Sequence, residues 1–343
     1  MTDLTAFAHG LPKAELHLHL EGTLEPELKF ALAARNGIEL AEKTVEEVRA
    51  TYDFTDLTSF LAVYYPAMQV LQTAEDFHDL AWAYLERAHA QGVVHAEMFF
   101  DPQAHTSRGV PFSEVVTGYR RAAVRAQDEF GISAELILCF LRDFSAEYAM
   151  ATLMEALPYK AWIVGVGLDS DERGNPPEKF AAVFARAKAE GFFLTMHCDI
   201  DQIGSIDNIR AVLTEIGVDR IDHGTNIVED PELVALAIEK GIGFTTCPVS
   251  NSFVTEQMKA DEIVGLLRQG ARVMVNSDDP AYFGAYVGDN YVALAEQAGL
   301  DAADLVQLAI NSFEASWLTP ARRAAFIARV EEFAAAHDVA LPA

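Results

Sequence analysis

His17 and His19 are separated by a single residue within an apolar run, Ala14–Leu20. In an extended strand alternate side chains share a face, so both imidazoles point to one side and Leu18 to the other. His197 lies near the end of a second such run, Phe192–Asp199, and Asp278 follows a third, Arg272–Ser277. Together they offer three neutral ring nitrogens and one carboxylate, a donor set suited to Zn2+ with one position left for water. A metal held in this way lowers the pKa of its water towards ~7 and makes hydroxide available at neutral pH. His223, in Ile221-Asp222-His223-Gly224, is either a fifth ligand or a base beside that water. His9, His78, His89, His95, His105 and His337 lack such company and read as surface or core residues.

These groups must be brought together by a scaffold, and the spacing of apolar runs says which one. Eight short runs rich in β-branched and aromatic residues recur along the chain: Ala14–Leu20, Val93–Phe100, Ile132–Leu141, Ile163–Asp169, Phe192–Asp199, Arg220–Gly224, Gly243–Ser250 and Arg272–Ser277. Helix-like stretches ending near glycine precede most of them, as in Arg87–Gly92, Ala185–Gly191, Ala235–Gly241 and Ile263–Gly270. Strands that alternate with amphipathic helices form parallel βαβ units, and eight such units predict a closed (β/α)8 TIM-type barrel. Function in such barrels gathers at the C-terminal ends of the strands. The first, fifth, sixth and eighth runs all end in groups able to bind metal or move protons.

The spacing also predicts a helical insertion after the first strand, over residues 24–90, with the aromatic-rich segment Leu57–Leu71 as a cap near the barrel mouth. The tail after Asn311 reads as a terminal helix pair. No linker, repeat or low-complexity segment divides the chain, so residues 1–343 are expected to form a single domain. Neither Ile132–Leu141 nor Ile163–Asp169 contains the lysine that bridges paired metals in many hydrolase barrels. One Zn2+ per chain is therefore expected.

With 52 acidic against 25 basic residues, the net charge is −27. Such a surface repels phosphate backbones and anionic membranes, which argues against nucleic acid and lipid as partners and favours a small neutral or cationic substrate. No signal-like or membrane-spanning segment is seen, and Cys139, Cys198 and Cys247 are too scattered for a disulfide framework or a Cys-ligated metal. The expected location is the cytoplasm; a homo-oligomer is compatible with everything above.

The segments Pro12-Lys13-Ala14-Glu15-Leu16-His17-Leu18-His19-Leu20-Glu21-Gly22, Asp222-His223-Gly224 and Asn276-Ser277-Asp278-Asp279-Pro280 resemble the signatures of the adenosine/adenine deaminase family. The resemblance runs over roughly residues 8–335. It implies a zinc-dependent aminohydrolase that removes a purine 6-amino group. By position it makes His17, His19, His197 and Asp278 the zinc ligands, His223 the group that orients and deprotonates the attacking water, and Asp279 the partner of purine N7. The zinc deaminases acting on bases in nucleic acids carry a His-x-Glu and Pro-Cys-x-x-Cys signature, which is absent here.

Within the family, Gly165-Val166-Gly167-Leu168-Asp169-Ser170 and Asp279-Pro280-Ala281-Tyr282-Phe283-Gly284 are more similar to the adenine than to the adenosine enzymes. Glu21 stands where adenosine enzymes carry Asp, and Ser170 where they carry a glycine that lies against the purine. Both changes add atoms near the space a ribose would occupy. The resemblance thus points to a free purine base and to hydrolysis of adenine to hypoxanthine and ammonia.

One segment departs from the pattern. After the fifth-strand histidine the family reads His-Ala-Gly-Glu, with the Glu protonating purine N1; here the chain reads His197-Cys198-Asp199-Ile200-Asp201-Gln202. Ile200 falls at the Glu position and has no proton to give. Asp199 shares strand parity with His197 and is the first choice for the acid; Asp201 is the second, if the longer loop folds inward. The altered loop leaves open an N6-substituted adenine or another adenine-bearing metabolite, adenosine included. The complete metal set argues against a non-catalytic purine-binding protein. The absent lysine and Asp279 argue against an amide or phosphoester hydrolase.

Overall fold

Eight parallel strands stand next to one another in chain order. They are β1 (Lys13–Glu15), β2 (Val93–Phe100), β3 (Ser133–Leu141), β4 (Ile163–Asp169), β5 (Phe193–Cys198), β6 (Arg220–His223), β7 (Gly243–Thr246) and β8 (Arg272–Val275). The structure, a computed structural model, describes residues 3–341 except 199, 201, 203 and 256. The sheet closes between the chain after β8 and the chain after β1. There the Asp278 amide donates to the His17 carbonyl at 3.1 Å and the His19 amide donates to the Asp278 carbonyl at 3.0 Å. This is the (β/α)8 barrel that the alternating pattern implies, and its seam is made by three of the expected metal ligands.

Three expected boundaries differ from the observed ones. The ladder of β1 ends at Glu15, although an isolated bridge pairs His19 with Phe99. The histidines therefore sit on an extended continuation that bonds outward to both neighbours. The seventh run is strand only to Thr246, because Pro248 opens a helix, Pro248–Val254, as proline does at a first helical turn. The final helices are Ala302–Glu314 and Pro320–Ala336, so among the described residues one helix lies wholly beyond Asn311, not a pair.

Between β1 and β2 the chain forms helices Pro26–Asn36, Val45–Arg49, Leu57–Ala67 and Ala74–Ala90. Ala74–Ala90 leads directly into β2 and packs beside the helix Phe112–Phe130, as an outer-ring helix of the barrel does. The three before it are the added segment. Asp56 starts Leu57–Ala67 by accepting from the Ser59 amide, a capping box that fixes where the helix begins. The buried Phe60 and Tyr64 then pack on Phe283 and Tyr282, with ring centroids 5.1 and 5.5 Å apart. This aromatic contact holds the helix Leu57–Ala67 to the helix that follows β8. Among the described residues, no helix is long and apolar enough to cross a membrane.

Candidate metal centre and purine pocket

The strand ends bring His17, His19 and His197 together, with Nε2 of His197 3.1 Å from Nε2 of both partners. Asp278 Oδ1 lies 3.2 Å from His17 Nε2 and 3.5 Å from His19 Nε2. Four donors at bond lengths of about 2.0–2.1 Å around a tetrahedral ion stand about 3.3 Å apart, so this spacing fits one small cation.

The hydrogen bonds on the far side of two rings fix their tautomers. Thr245 donates its hydroxyl proton to Asp222 Oδ1 at 2.9 Å, so His17 Nδ1, 2.8 Å from Thr245 Oγ1, must be the donor there. His197 Nδ1 faces the Leu168 carbonyl at 3.1 Å, which can only accept. Both neutral rings therefore turn a bare Nε2 lone pair toward the other. Lone pairs facing each other in a buried site require a cation between them, a metal or a proton, and backbone or hydroxyl partners of this kind hold metal-ligating histidines.

Burial, reinforced by the neighbouring histidines, pushes His197 well down. His19 and His223 are each lowered to about 4, chiefly by burial. All three are thus held in the neutral form that donates to metals. His17 is the exception: burial opposes its protonation, but Asp278 outweighs it and raises its pKa. Burial likewise works against the Asp278 carboxylate, yet His17, His223 and His19 keep it well below the usual range. Cys247 Sγ belongs to the same neighbourhood as His17, His223 and Asp278. Burial, followed by the surrounding carboxylates, drives its thiol well up, so it stays protonated.

His19, His197, His223 and Asp278 open onto a cavity at the barrel mouth that Asp279, Ser170 and Ile200 also line. His223, Asp278 and Ser170 have positive φ (53°, 65° and 71°) without being glycine. Such conformations cost roughly 1–3 kcal/mol each and persist where surrounding structure over-determines them. Here they aim three side chains into one space. Asp279 is placed by a close approach: a Cβ on Gly22 would lie 2.0 Å from Asp279 Oδ1, so only glycine fits beside it. Asp279 Oδ1 and His223 Nδ1 are buried with no hydrogen-bond partner among the described residues. A flat heterocycle with ring nitrogens and an exocyclic amine would satisfy them.

The family model described as adenosine deaminase matches residues 12–333. This chain belongs to the adenosine deaminase family. A curated adenine deaminase from Geotalea uraniireducens is 50% identical over 334 residues, covering 96% of this chain and 94% of that protein. The crystal structure of an adenine deaminase from Arthrobacter aurescens has 45% identity and a TM-score of 0.91, covering 95% of this chain and 99% of that one. A zinc-bound amidohydrolase from Burkholderia ambifaria has 29% identity and a TM-score of 0.91, covering 98% of this chain and 95% of its own. The adenosine deaminase family is metal-dependent, and the donor set described above fits that property.

Against the family pattern, the acid position is the one that differs. Ile200 is buried and lines the cavity. Asp199 and Asp201, the two candidates for the missing acid, lie outside the described residues. Glu21 is fully buried but does not line the cavity. Its Oε1 accepts from Tyr119 at 2.9 Å and from the Asp101 amide at 3.3 Å, and lies 2.9 Å from His105 Nε2. Its carboxylate is therefore spent behind Asp101 and does not reach the cavity. His105, read as a bystander, has the job of holding Glu21.

Two acidic residues at the mouth were not singled out from the sequence. Asp101 follows β2 and Asp169 ends β4; both line the cavity, and a carboxylate oxygen of each lies within 4.8 Å of a His19 ring nitrogen. Asp169 Oδ2 is 3.6 Å from that nitrogen. Burial, then Asp169 and Glu21, pushes Asp101 well up; burial raises Asp169 to about 7. The strand-end rule that selected His197 and Asp278 applies equally to them, since Asp169 closes the fourth run and Asp101 directly follows the second.

Proposed function

We propose that this protein is a cytoplasmic adenine deaminase that hydrolyses adenine to hypoxanthine and ammonia with one zinc per chain. The observation that carries this reading is the buried set of Nε2 lone pairs converging beneath a cavity whose wall presents Asp279. The similarity to adenine deaminases across nearly the whole chain supports the choice of base. In this reading His17, His19, His197 and Asp278 hold the zinc, and zinc so bound supplies a water acidic enough to attack at neutral pH.

The chain's own groups do the rest. His223, held neutral by burial, accepts the proton of the attacking water and orients its oxygen toward C6. Asp279, whose carboxyl is pushed well up by burial and by Asp278, carries the proton that it donates to N7. Ser170, whose hydroxyl donates to Asp143 Oδ2 at 2.9 Å, flanks the purine face. Asp199, or failing it Asp201, protonates N1 as aromaticity is lost.

The purified protein is expected to contain one Zn2+ per chain and to convert adenine with a kcat/KM at least a hundredfold above that for adenosine, a gap of about 2.7 kcal/mol. Loss of purine ultraviolet absorbance together with ammonia release checks the rates, and elemental analysis checks the metal. Comparable rates on the nucleoside would refute the free-base reading, and two tightly held metals would refute the mononuclear one.

The acid assignment has its own test. Asp199→Asn is expected to lower kcat by two orders of magnitude or more with a smaller change in KM, because the proton matters most in the transition state. Asp201→Asn should be milder. The reverse ranking moves the role to Asp201, and near-normal rates in the double variant remove it from both.

A further inference from the structure

We propose that Asp222, which is neither a metal donor nor a substrate contact, is the buried counter-charge of the metal centre, joined to it through Thr245 and His17. The inference rests on the metal reading above and concerns what stands behind the donors.

The strand register places the residue. Asp222 of β6 pairs with His197 of β5 on one side and with Thr245 of β7 on the other. Paired residues of neighbouring strands point to the same face of the sheet, as do alternate residues of one strand. Asp222 therefore enters the barrel interior together with Thr195, His197 and Thr245. Its side chain is fully buried, as are those of His17, Thr195 and Thr245, and it does not line the cavity.

Each carboxylate oxygen leads to a metal-facing ring. Oδ1 accepts the Thr245 hydroxyl at 2.9 Å, and Thr245 Oγ1 accepts the Nδ1 proton of His17 at 2.8 Å. Oδ2 accepts the Thr195 hydroxyl at 2.7 Å and stands 3.5 Å from Nδ1 of His197. Asp222 thus approaches both rings from the side away from the metal donors. Through Thr245 it keeps the His17 proton on Nδ1, which leaves Nε2 bare.

What the carboxylate lacks is a fixed cation. Among the described residues, no Lys or Arg nitrogen lies within 4.0 Å of it. Arg220, two residues earlier in β6, is paired with Glu97 at 2.6 Å. A buried charge is costly unless it is matched, and two hydroxyl dipoles do not replace an ion. The metal centre supplies the match. Zn2+ among three neutral imidazoles and the Asp278 carboxylate keeps one positive charge, and Asp222 is the anion that offsets it. Groups placed behind metal-ligating histidines in this way are worth roughly 10–100-fold in metal affinity.

The test separates charge from shape. In Asp222→Asn the amide oxygen can accept from Thr245 and the amide nitrogen can donate to Thr195, so the hydrogen bonds survive while the charge is lost. The zinc dissociation constant, measured by chelator competition on the reloaded protein, is expected to rise roughly 10–100-fold in Asp222→Asn and in Thr245→Val. Thr245→Ser, which restores the hydroxyl, should bind zinc as the wild type does. Thermal midpoints supply a second readout. Without metal, Asp222→Asn is expected to melt no lower than wild type, since the group removed is an unmatched buried charge; zinc should then raise its midpoint less than it raises the wild type's. A residue that only braces the strands would lower both midpoints alike, and that result overturns the proposal. Unchanged zinc affinity in Asp222→Asn overturns it too, as does unchanged affinity in Thr245→Val should Asp222→Asn fail to fold. Wild-type protein that takes up no zinc overturns the metal reading itself.

Discussion

Alanine at His17 or at Asp278 is expected to yield protein that binds no zinc and turns over no purine. The reason lies in how few donors the site has and how completely they are buried. His17 is fully buried, with Nδ1 committed to Thr245, so Nε2 is its only free donor. Asp278 is the only carboxylate within 3.5 Å of both His17 Nε2 and His19 Nε2 among the described residues. Removal of either donor leaves three of the four assigned groups, two of them the neutral His19 and His197, too few for the four-donor set. Cys247 is nearby, but its thiol is held protonated and donates to the Thr245 carbonyl at 3.8 Å. Elemental analysis of the purified variants, read beside circular dichroism to show that the barrel is intact, checks this outcome. Full metal content in His17→Ala would show that His17 is not a ligand.

His223→Ala is expected to lower kcat by roughly 10²–10⁴-fold, the contribution of a positioned general base, with zinc content close to wild type. His223 Nε2 stands 3.7 Å from Asp278 Oδ2, farther from the shared carboxylate than His17 or His19. Its Nδ1 has no partner among the described residues, unlike that of the two histidines locked by Thr245 and Leu168. His19 Nδ1 is unpartnered as well, so it is the greater distance from Asp278 that sets His223 apart. Its freedom suits a group that must accept a proton and pass it on. Equal falls in kcat and kcat/KM would mark an interaction made only in the transition state. A metal-free His223→Ala protein would make it a ligand instead.

The division between what the chain states openly and what only folding reveals follows from the physics of strands. Period-two alternation and Gly-terminated helices are local, so eight βαβ units, the barrel and the shared face of His17 and His19 are legible in the residues themselves. The rule that strand ends converge at one mouth then places His197, His223, Asp278 and Asp279 together without any measured distance. Strand limits are less legible, because the regular β1 ladder stops at Glu15 although bonds to both neighbours continue through His17–Leu20, and β7 stops at Thr246 because Pro248 opens a helix. Contacts between residues far apart in sequence were invisible. Glu21 and His105 are 84 positions apart, and only the packed barrel shows that Glu21 is spent behind Asp101. The tautomers of His17 and His197 depend on Thr245 and Leu168, contributed by other strands. The character of the cavity is likewise a tertiary property. Helix Leu57–Ala67 brings hydrocarbon over the mouth through aromatic contacts with the helix after β8, and no local pattern specifies which side chains will meet there.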